Sequence, residues 1–167
     1  WVIIARNGLF DASPGAMKML FYKIAYQGET EIIELEQLKA RYYEPGLLQE
    51  LIGYSTEEPR NINQLSSVAL YPKIVKAEIQ DNLLQLQLEE RNGGMGKLSL
   101  FINGKEVEEN INTQKNTRLQ IELKKYAQYY YPGQDNQISL RSFNAEGWLK
   151  SQAYDLAYTP TLSSGRG

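Results

Sequence analysis

From residue 74 onward the chain repeats one pattern. Leu84, Leu86 and Leu88 interleave with Gln85, Gln87 and Glu89, and Leu98, Leu100 and Ile102 repeat the spacing. Leu119, Ile121 and Leu123 follow, then Ile138 and Leu140. A period of two sends successive side chains to opposite faces of a strand, so each run reads as a strand with one face on a core and the other in water. Ile74, Ala77 and Ile79 open the series, and Ala153, Leu156 and Tyr158 close it less regularly. Between the runs lie Asn92-Gly93-Gly94, Asn103-Gly104, Pro132-Gly133 and Glu146-Gly147, residues suited to reversing a chain. Six or seven short strands over about 90 residues predict an immunoglobulin-like β-sandwich at 71–160, two sheets hiding the alternating leucines between them.

The residues before it have another character. Val2-Ile3-Ile4-Ala5 reads as a strand ending at Asn7-Gly8, and Ser13-Pro14-Gly15 marks a second turn. Between Ala16 and Tyr26 the apolar positions fit a helical stripe and an alternating strand equally, so periodicity leaves both open. Ile32, Leu35, Leu38 and Tyr42 recur at helical spacing and predict a helix within 29–43. Pro45-Gly46 breaks it, and Leu47, Leu48, Leu51 and Ile52 predict a short second helix closed by Gly53. Residues 54–67, rich in Ser, Thr, Glu and Asn, have the composition of a linker. The expected class is therefore mainly β with a helical N-terminal segment: a leading segment at 1–70, the sandwich at 71–160 and a tail at 161–167.

What such a chain can do is bounded by two missing residue types. It has 167 residues, with no cysteine and no histidine. Disulfides, Cys/His zinc sites, a cysteine nucleophile and imidazole-based catalysis are excluded. Eighteen basic against twenty acidic side chains give a net charge of −2, with 6 − 9 = −3 over residues 1–70 and 12 − 11 = +1 over 71–167. No nucleic-acid partner is expected from that balance. No apolar run is long enough to cross a bilayer, so no membrane partner is expected either. Absent cysteine and an absent signal peptide fit a cytoplasmic compartment, and a start at Trp1 within a strand pattern fits a fragment of a longer protein.

Acidic chemistry finds no pattern. Glu106, Glu108 and Glu109, like Glu89-Glu90, lack the offsets of a calcium loop, and nothing selects two carboxylates as an acid–base pair. Asn92-Gly93-Gly94-Met95-Gly96-Lys97 lacks the ending of a phosphate loop and reads as a hairpin turn. The phenols of Tyr42 and Tyr43 have no identifiable partner for proton transfer. No catalytic residue, metal or cofactor is expected.

Tyrosine is the unusual letter, with twelve residues against four Phe and two Trp. Tyr126, Tyr129, Tyr130 and Tyr131 crowd before Pro132-Gly133, with Asp135 and Asn136 beside them, residues that either contact a polar ligand or shape the turn. On an exposed loop such a group would stack on a saccharide or anchor a peptide. Packed on an edge of the sheets, it would be structural.

Several strings carry more than composition. They are Trp1-Val2, Asn7 through Met17, Glu31 through Lys39, and Arg41 through Leu48, with Asn92 through Gly96, Phe101 through Lys105, and Asn144 through Ser151 further on. Together they resemble the region after the WD-repeat propeller in large bacterial proteins, many of which also carry a caspase-like peptidase domain. The resemblance implies an immunoglobulin-like spacer between propeller and peptidase, with no catalytic residue carried over, because the peptidase's Cys-His pair is absent here. It also implies interdomain packing roles for Trp1, Phe10, Tyr42, Tyr43 and Trp148. The expected function is a non-catalytic spacer or protein-interaction module, its partners being neighbouring domains of the same polypeptide or another protein. A carbohydrate- or peptide-binding module using the tyrosine-rich loop is the alternative.

Overall fold

The computed structural model describes residues 1–55 and 68–160. Most of the expected linker at 54–67, and the tail at 161–167, lie outside the described residues. The chain divides into two compact units, Trp1–Val68 and Ala69–Gly167.

The first unit begins with a hairpin. β1 (Val2–Ile4) pairs antiparallel with β2 (Phe10–Ala12), Ile4 opposite Phe10. Gly8 at φ 91° supplies the left-handed backbone the turn needs. A single helical turn, α1 (Pro14–Met17), has proline in its first turn, where the missing N–H would be unbonded anyway. β3 (Phe21–Tyr26) and β4 (Glu29–Glu34) form a second hairpin, with Gln27 and Gly28 both at positive φ, the geometry of a tight primed turn. The open alternative at 16–26 resolves as strand from Phe21 onward, where six residue pairs join β3 to β4, while Ala16 and Met17 end α1.

The helix predicted within 29–43 occupies only its second half, α2 (Leu35–Tyr42). A capping box starts it: the Glu34 N–H donates to Gln37 Oε1 at 2.9 Å, and the Glu34 side chain accepts a backbone N–H in return. Ile32, assigned to the helical stripe, instead lies exposed on β4 while Ile33 is fully buried. Thr30, Ile32 and Ile33 are β-branched, and pairing with β3 outweighs the coincidental spacing from Ile32 to Leu35. A short helix, α3 (Leu47–Leu51), follows Gly46 at φ 82°.

In the second unit, β5 (Lys73–Gln80), β6 (Leu83–Glu89) and β9 (Arg118–Glu122) form one antiparallel sheet in the order β5-β6-β9. β7 (Leu98–Ile102), β8 (Lys105–Glu108), β10 (Asn136–Ser142) and β11 (Tyr154–Tyr158) form another, in the order β11-β10-β7-β8. Two short 3₁₀ turns, Leu123–Tyr129, meet at Tyr126 between β9 and β10. The alternating leucines of β6, β7 and β10 join one buried cluster, each fully buried side chain stabilising by about 1.5–3 kcal/mol.

The immunoglobulin-like β-sandwich, and the mainly β class with it, are corrected. The described strands fall into four separate sheets of two, four, two and three strands, interspersed with helices. No sheet is closed or strongly curled as such a sandwich requires, so the fold is a mixed α/β one. Alternation reports which side chains face a core. It carries nothing about sheet curvature, which pairing between distant segments decides.

The loop at 92–96 is also not a hairpin turn, because β6 and β7 belong to different sheets. Its glycines permit close backbone approach: a Cβ on Gly93 would stand within 3.0 Å of backbone at Ala69 and Leu70, and one on Gly96 within 3.0 Å of backbone at Phe143 and Asn144.

Candidate interaction surfaces

The four clustered tyrosines do not share a surface. Tyr126 and Tyr130 point into the core of the second unit, 5% and 9% exposed, Tyr129 is half-buried, and Tyr131 is 58% exposed. The Tyr130 ring meets the Tyr158 ring edge-on at 5.0 Å between centroids, and its hydroxyl donates to the Leu123 carbonyl at 3.0 Å. The Tyr126 hydroxyl donates to the Glu108 carboxylate, which also receives Lys125 Nζ at 3.1 Å. Lys125 Nζ lies 4.7 Å from the Tyr126 ring centre, and Lys105 Nζ lies 5.2 Å from that of Tyr129.

This arrangement shifts two acidities in opposite directions. Burial, then the hydrogen bond to Glu108 and its charge, push the Tyr126 phenol well above its usual value. Burial pushes the Glu108 carboxyl up, but the hydrogen bonds from Tyr126 and Lys125 and the Lys125 charge outweigh it and leave the group below its usual range. Burial, with the neighbouring Tyr158 and Tyr126, also raises Tyr130 strongly. None of these phenols is poised to exchange a proton near neutral pH. They tie the 3₁₀ turns to β8 and the core.

Asn136, 1% exposed, holds the loop that presents Tyr131. Its Oδ1 accepts from Tyr131 N–H at 2.7 Å and from Asn103 Nδ2 at 2.8 Å, and its Nδ2 donates to the carbonyls of Tyr131 (3.1 Å) and Gln134 (3.0 Å). Asp135 is exposed and accepts a hydrogen bond from the Thr159 hydroxyl. The groups still facing solvent are therefore Tyr131, part of Tyr129, and Asp135. Of the two readings the sequence leaves open for Asn136, contact with a polar ligand or shaping of the turn, its burial and its bonds within the loop fit the second.

In the first unit, Phe10 is fully buried and Tyr42 is 3% exposed, while Tyr43 is half-buried. Phe10 bridges to Tyr43 through the backbone, and their rings lie 5.8 Å apart. The buried Asp11 accepts the Gly46 N–H at 2.8 Å and pins the chain where α3 begins. Sequence reasoning missed Asp11, which it gave no role beyond the turn. Trp1 is 67% exposed, its terminal ammonium 3.1 Å from Ser13 Oγ. In the second unit, Trp148 is half-buried and its indole N–H donates to Glu146 at 3.1 Å.

The exposed apolar side chains are unevenly distributed. Among the described residues, ten of the thirteen large exposed hydrophobics belong to the first unit. Leu48, Leu51 and Ile52 share the outward side of α3 and its end, with Tyr54 beyond, and Phe21 and Ile32 are exposed on the β3–β4 hairpin. Leu47, Leu48, Leu51 and Ile52 follow the helical spacing that predicts α3, and of that helix only Leu47 is buried.

Among the described residues, no group of three or more Asp or Glu side chains could hold a metal ion, and no helix is long and apolar enough to cross a membrane. No protein-family model matches the chain, and no curated protein matches it. A solved structure, the spore cortex lytic enzyme SleM of Clostridium perfringens, is similar over 53% of this chain and 27% of its own length, at 16% identity and a TM-score of 0.36. So low a likeness carries neither fold nor function to this chain, and the association with WD-repeat and caspase-like proteins receives no support from these comparisons.

Proposed function

We propose that the protein is a non-catalytic protein-interaction module, in which the first unit docks on a protein surface and the second provides a firmly packed body. The observation that carries this reading is the concentration of exposed apolar side chains on the first unit. Scattered exposed leucines are ordinary, but Leu48, Leu51, Ile52 and Tyr54 within seven residues are the kind of apolar surface that a partner covers. Aromatic and aliphatic anchors of this type dominate protein–protein recognition.

The test is site-specific photo-crosslinking in the producing cells, with a benzoylphenylalanine at position 51 and a control at position 114 on the second unit. A discrete protein adduct at 51, absent at 114 and lost when Leu48 and Ile52 are changed to asparagine, is the expected result. No adduct at 51, or the same adducts from both positions, overturns the reading. The carbohydrate- or peptide-binding alternative keeps Tyr131, Tyr129 and Asp135 as its lining. It no longer has Tyr126 and Tyr130 to draw on, because both rings are packed in the core.

A further inference from the structure

Among the described residues the outer edge of β9 is open. There β9 pairs with β6 alone, Leu86 opposite Leu119 and Gln85 opposite Gln120. Two flanking bonds set the phase of that ladder, Leu88 N–H to the Thr117 carbonyl at 2.7 Å and Leu123 N–H to the Asn82 carbonyl at 2.9 Å. Hydrogen-bonded pairs alternate along an antiparallel ladder, so Leu119 and Ile121 turn their backbone groups toward β6. Arg118, Gln120 and Glu122 turn theirs away. Three N–H and three C=O groups thus line an edge about 13 Å long.

The segment running beside this edge does not pair with it. Ile111 N–H donates to the Leu98 carbonyl at 2.8 Å, and Asn110 Oδ1 accepts from the N–H groups of Leu98 and Asn112. The Asn112 side chain closes the loop on Asn116 through two hydrogen bonds of 2.9 Å. These bonds hold the loop in one shape and leave a hollow of about 300 Å³ between it and β9, walled by Ile111, Leu119 and Ile121 on one side and Arg118 and Gln120 on the other. A second hollow, of about 540 Å³, continues from Arg118 over the outward face of the sheet past Gln85, Gln87 and Lys76. Lys76 is paired with Glu78 at 3.1 Å, whereas Arg118 forms no ion pair among the described residues.

We infer that the β9 edge takes an extended peptide as an added strand, one that alternates apolar and polar side chains and sets a carboxylate opposite Arg118. Main-chain bonds to Arg118, Gln120 and Glu122 supply sequence-independent affinity, and the two kinds of wall select the alternating side chains. Arg118 offers a planar fork suited to a carboxylate. The preset loop reduces the ordering that binding would otherwise require. This surface belongs to the second unit, and none of its residues is among those of the proposed docking surface.

The test is a titration of the whole ¹⁵N-labelled chain with an acetylated, amidated heptapeptide that alternates valine with threonine and carries one central aspartate. Amide hydrogen exchange at Arg118, Gln120 and Glu122 should slow about tenfold or more, while Leu119 and Ile121, already bonded to β6, should not change. A peptide with lysine in place of aspartate should bind about tenfold more weakly, and Arg118→Glu should reverse that order. A peptide N-methylated at alternate positions should not bind, a control that leaves the protein unaltered. Equal binding of the methylated peptide, shifts centred on Tyr131, or no shift at millimolar peptide would overturn the inference, the last result leaving the edge charges as guards against aggregation only.

Discussion

Replacing Asn136 by alanine should destabilise the second unit severely and release the loop that carries Tyr131. The side chain is 1% exposed and makes four hydrogen bonds, to Asn103, to Tyr131 N–H and to the carbonyls of Tyr131 and Gln134. Each intramolecular hydrogen bond contributes about 0.5–1.5 kcal/mol net, and a buried donor or acceptor left without a partner costs about 1–3 kcal/mol. Water can rescue the groups nearest the surface, so the expected loss is about 3 kcal/mol rather than the full sum. A domain of this size has a total stability of about 5–15 kcal/mol, and the loss corresponds to a Tm lower by about 12–24 °C. Asn136→Asp separates geometry from volume: it keeps an acceptor for Tyr131 N–H but turns an oxygen toward the two carbonyls that Nδ2 now serves. It should cost at least as much as alanine at neutral pH. The assay is urea unfolding followed by far-UV circular dichroism, with hydrogen exchange at Tyr131 as the local readout. A loss below about 1 kcal/mol for both variants, with Tyr131 exchange unchanged, would refute the assignment of Asn136 as the clamp of this loop.

Three further outcomes are expected. The Tyr126–Glu108–Lys125 tie stabilises between two limits: Glu108's lowered pKa contributes above the ordinary carboxyl value of 4.5 and is lost as pH falls below it, while Tyr126's raised pKa contributes below 10.0 and is lost at higher pH. Glu108→Gln should therefore lower stability at pH 7 and change it little at pH 3, as urea midpoints at the two pH values will show. Gly96→Ala should destabilise by about 1–3 kcal/mol or prevent folding, since its Cβ meets the fixed backbone of Phe143 and Asn144; a thermal midpoint equal to the parent's would refute the close approach. Leu48→Asn with Ile52→Asn, both exposed, should change stability by no more than about 0.5 kcal/mol per site while lowering the fluorescence of a bound hydrophobic dye. A large loss of stability instead would show those side chains to be core.

Much of the second unit was legible in the sequence. The leucines at 84, 86, 88, 98 and 100 are buried where alternation placed them, and Asn103-Gly104 turns β7 into β8 with both residues at positive φ. Legibility ended where two local patterns coincided or distance mattered. Ile32 fits a helical stripe by spacing and a strand by composition, and only the hairpin with β3 decides between them. Asn92-Gly93-Gly94 has the letters of a hairpin turn, but Gly93 is required by the approach of Leu70, remote in sequence. The open edge of β9 carries no letter of its own, because an edge is a property of what is missing beside a strand.

Local pattern and composition establish that half-buried strands form from residue 74 onward, where turns interrupt them, and that no imidazole or thiol chemistry is available. These follow from the two-residue period of a strand, from the backbone freedom of glycine and asparagine, and from composition. Contacts between distant segments alone settle that the described strands form four open sheets, that Tyr126 and Tyr130 turn inward while Tyr131 faces water, and that Leu48 and Leu51 of α3, with Ile52 just after it, stay exposed. Pairing and burial depend on contacts between segments far apart in the chain, and a local pattern holds no record of them.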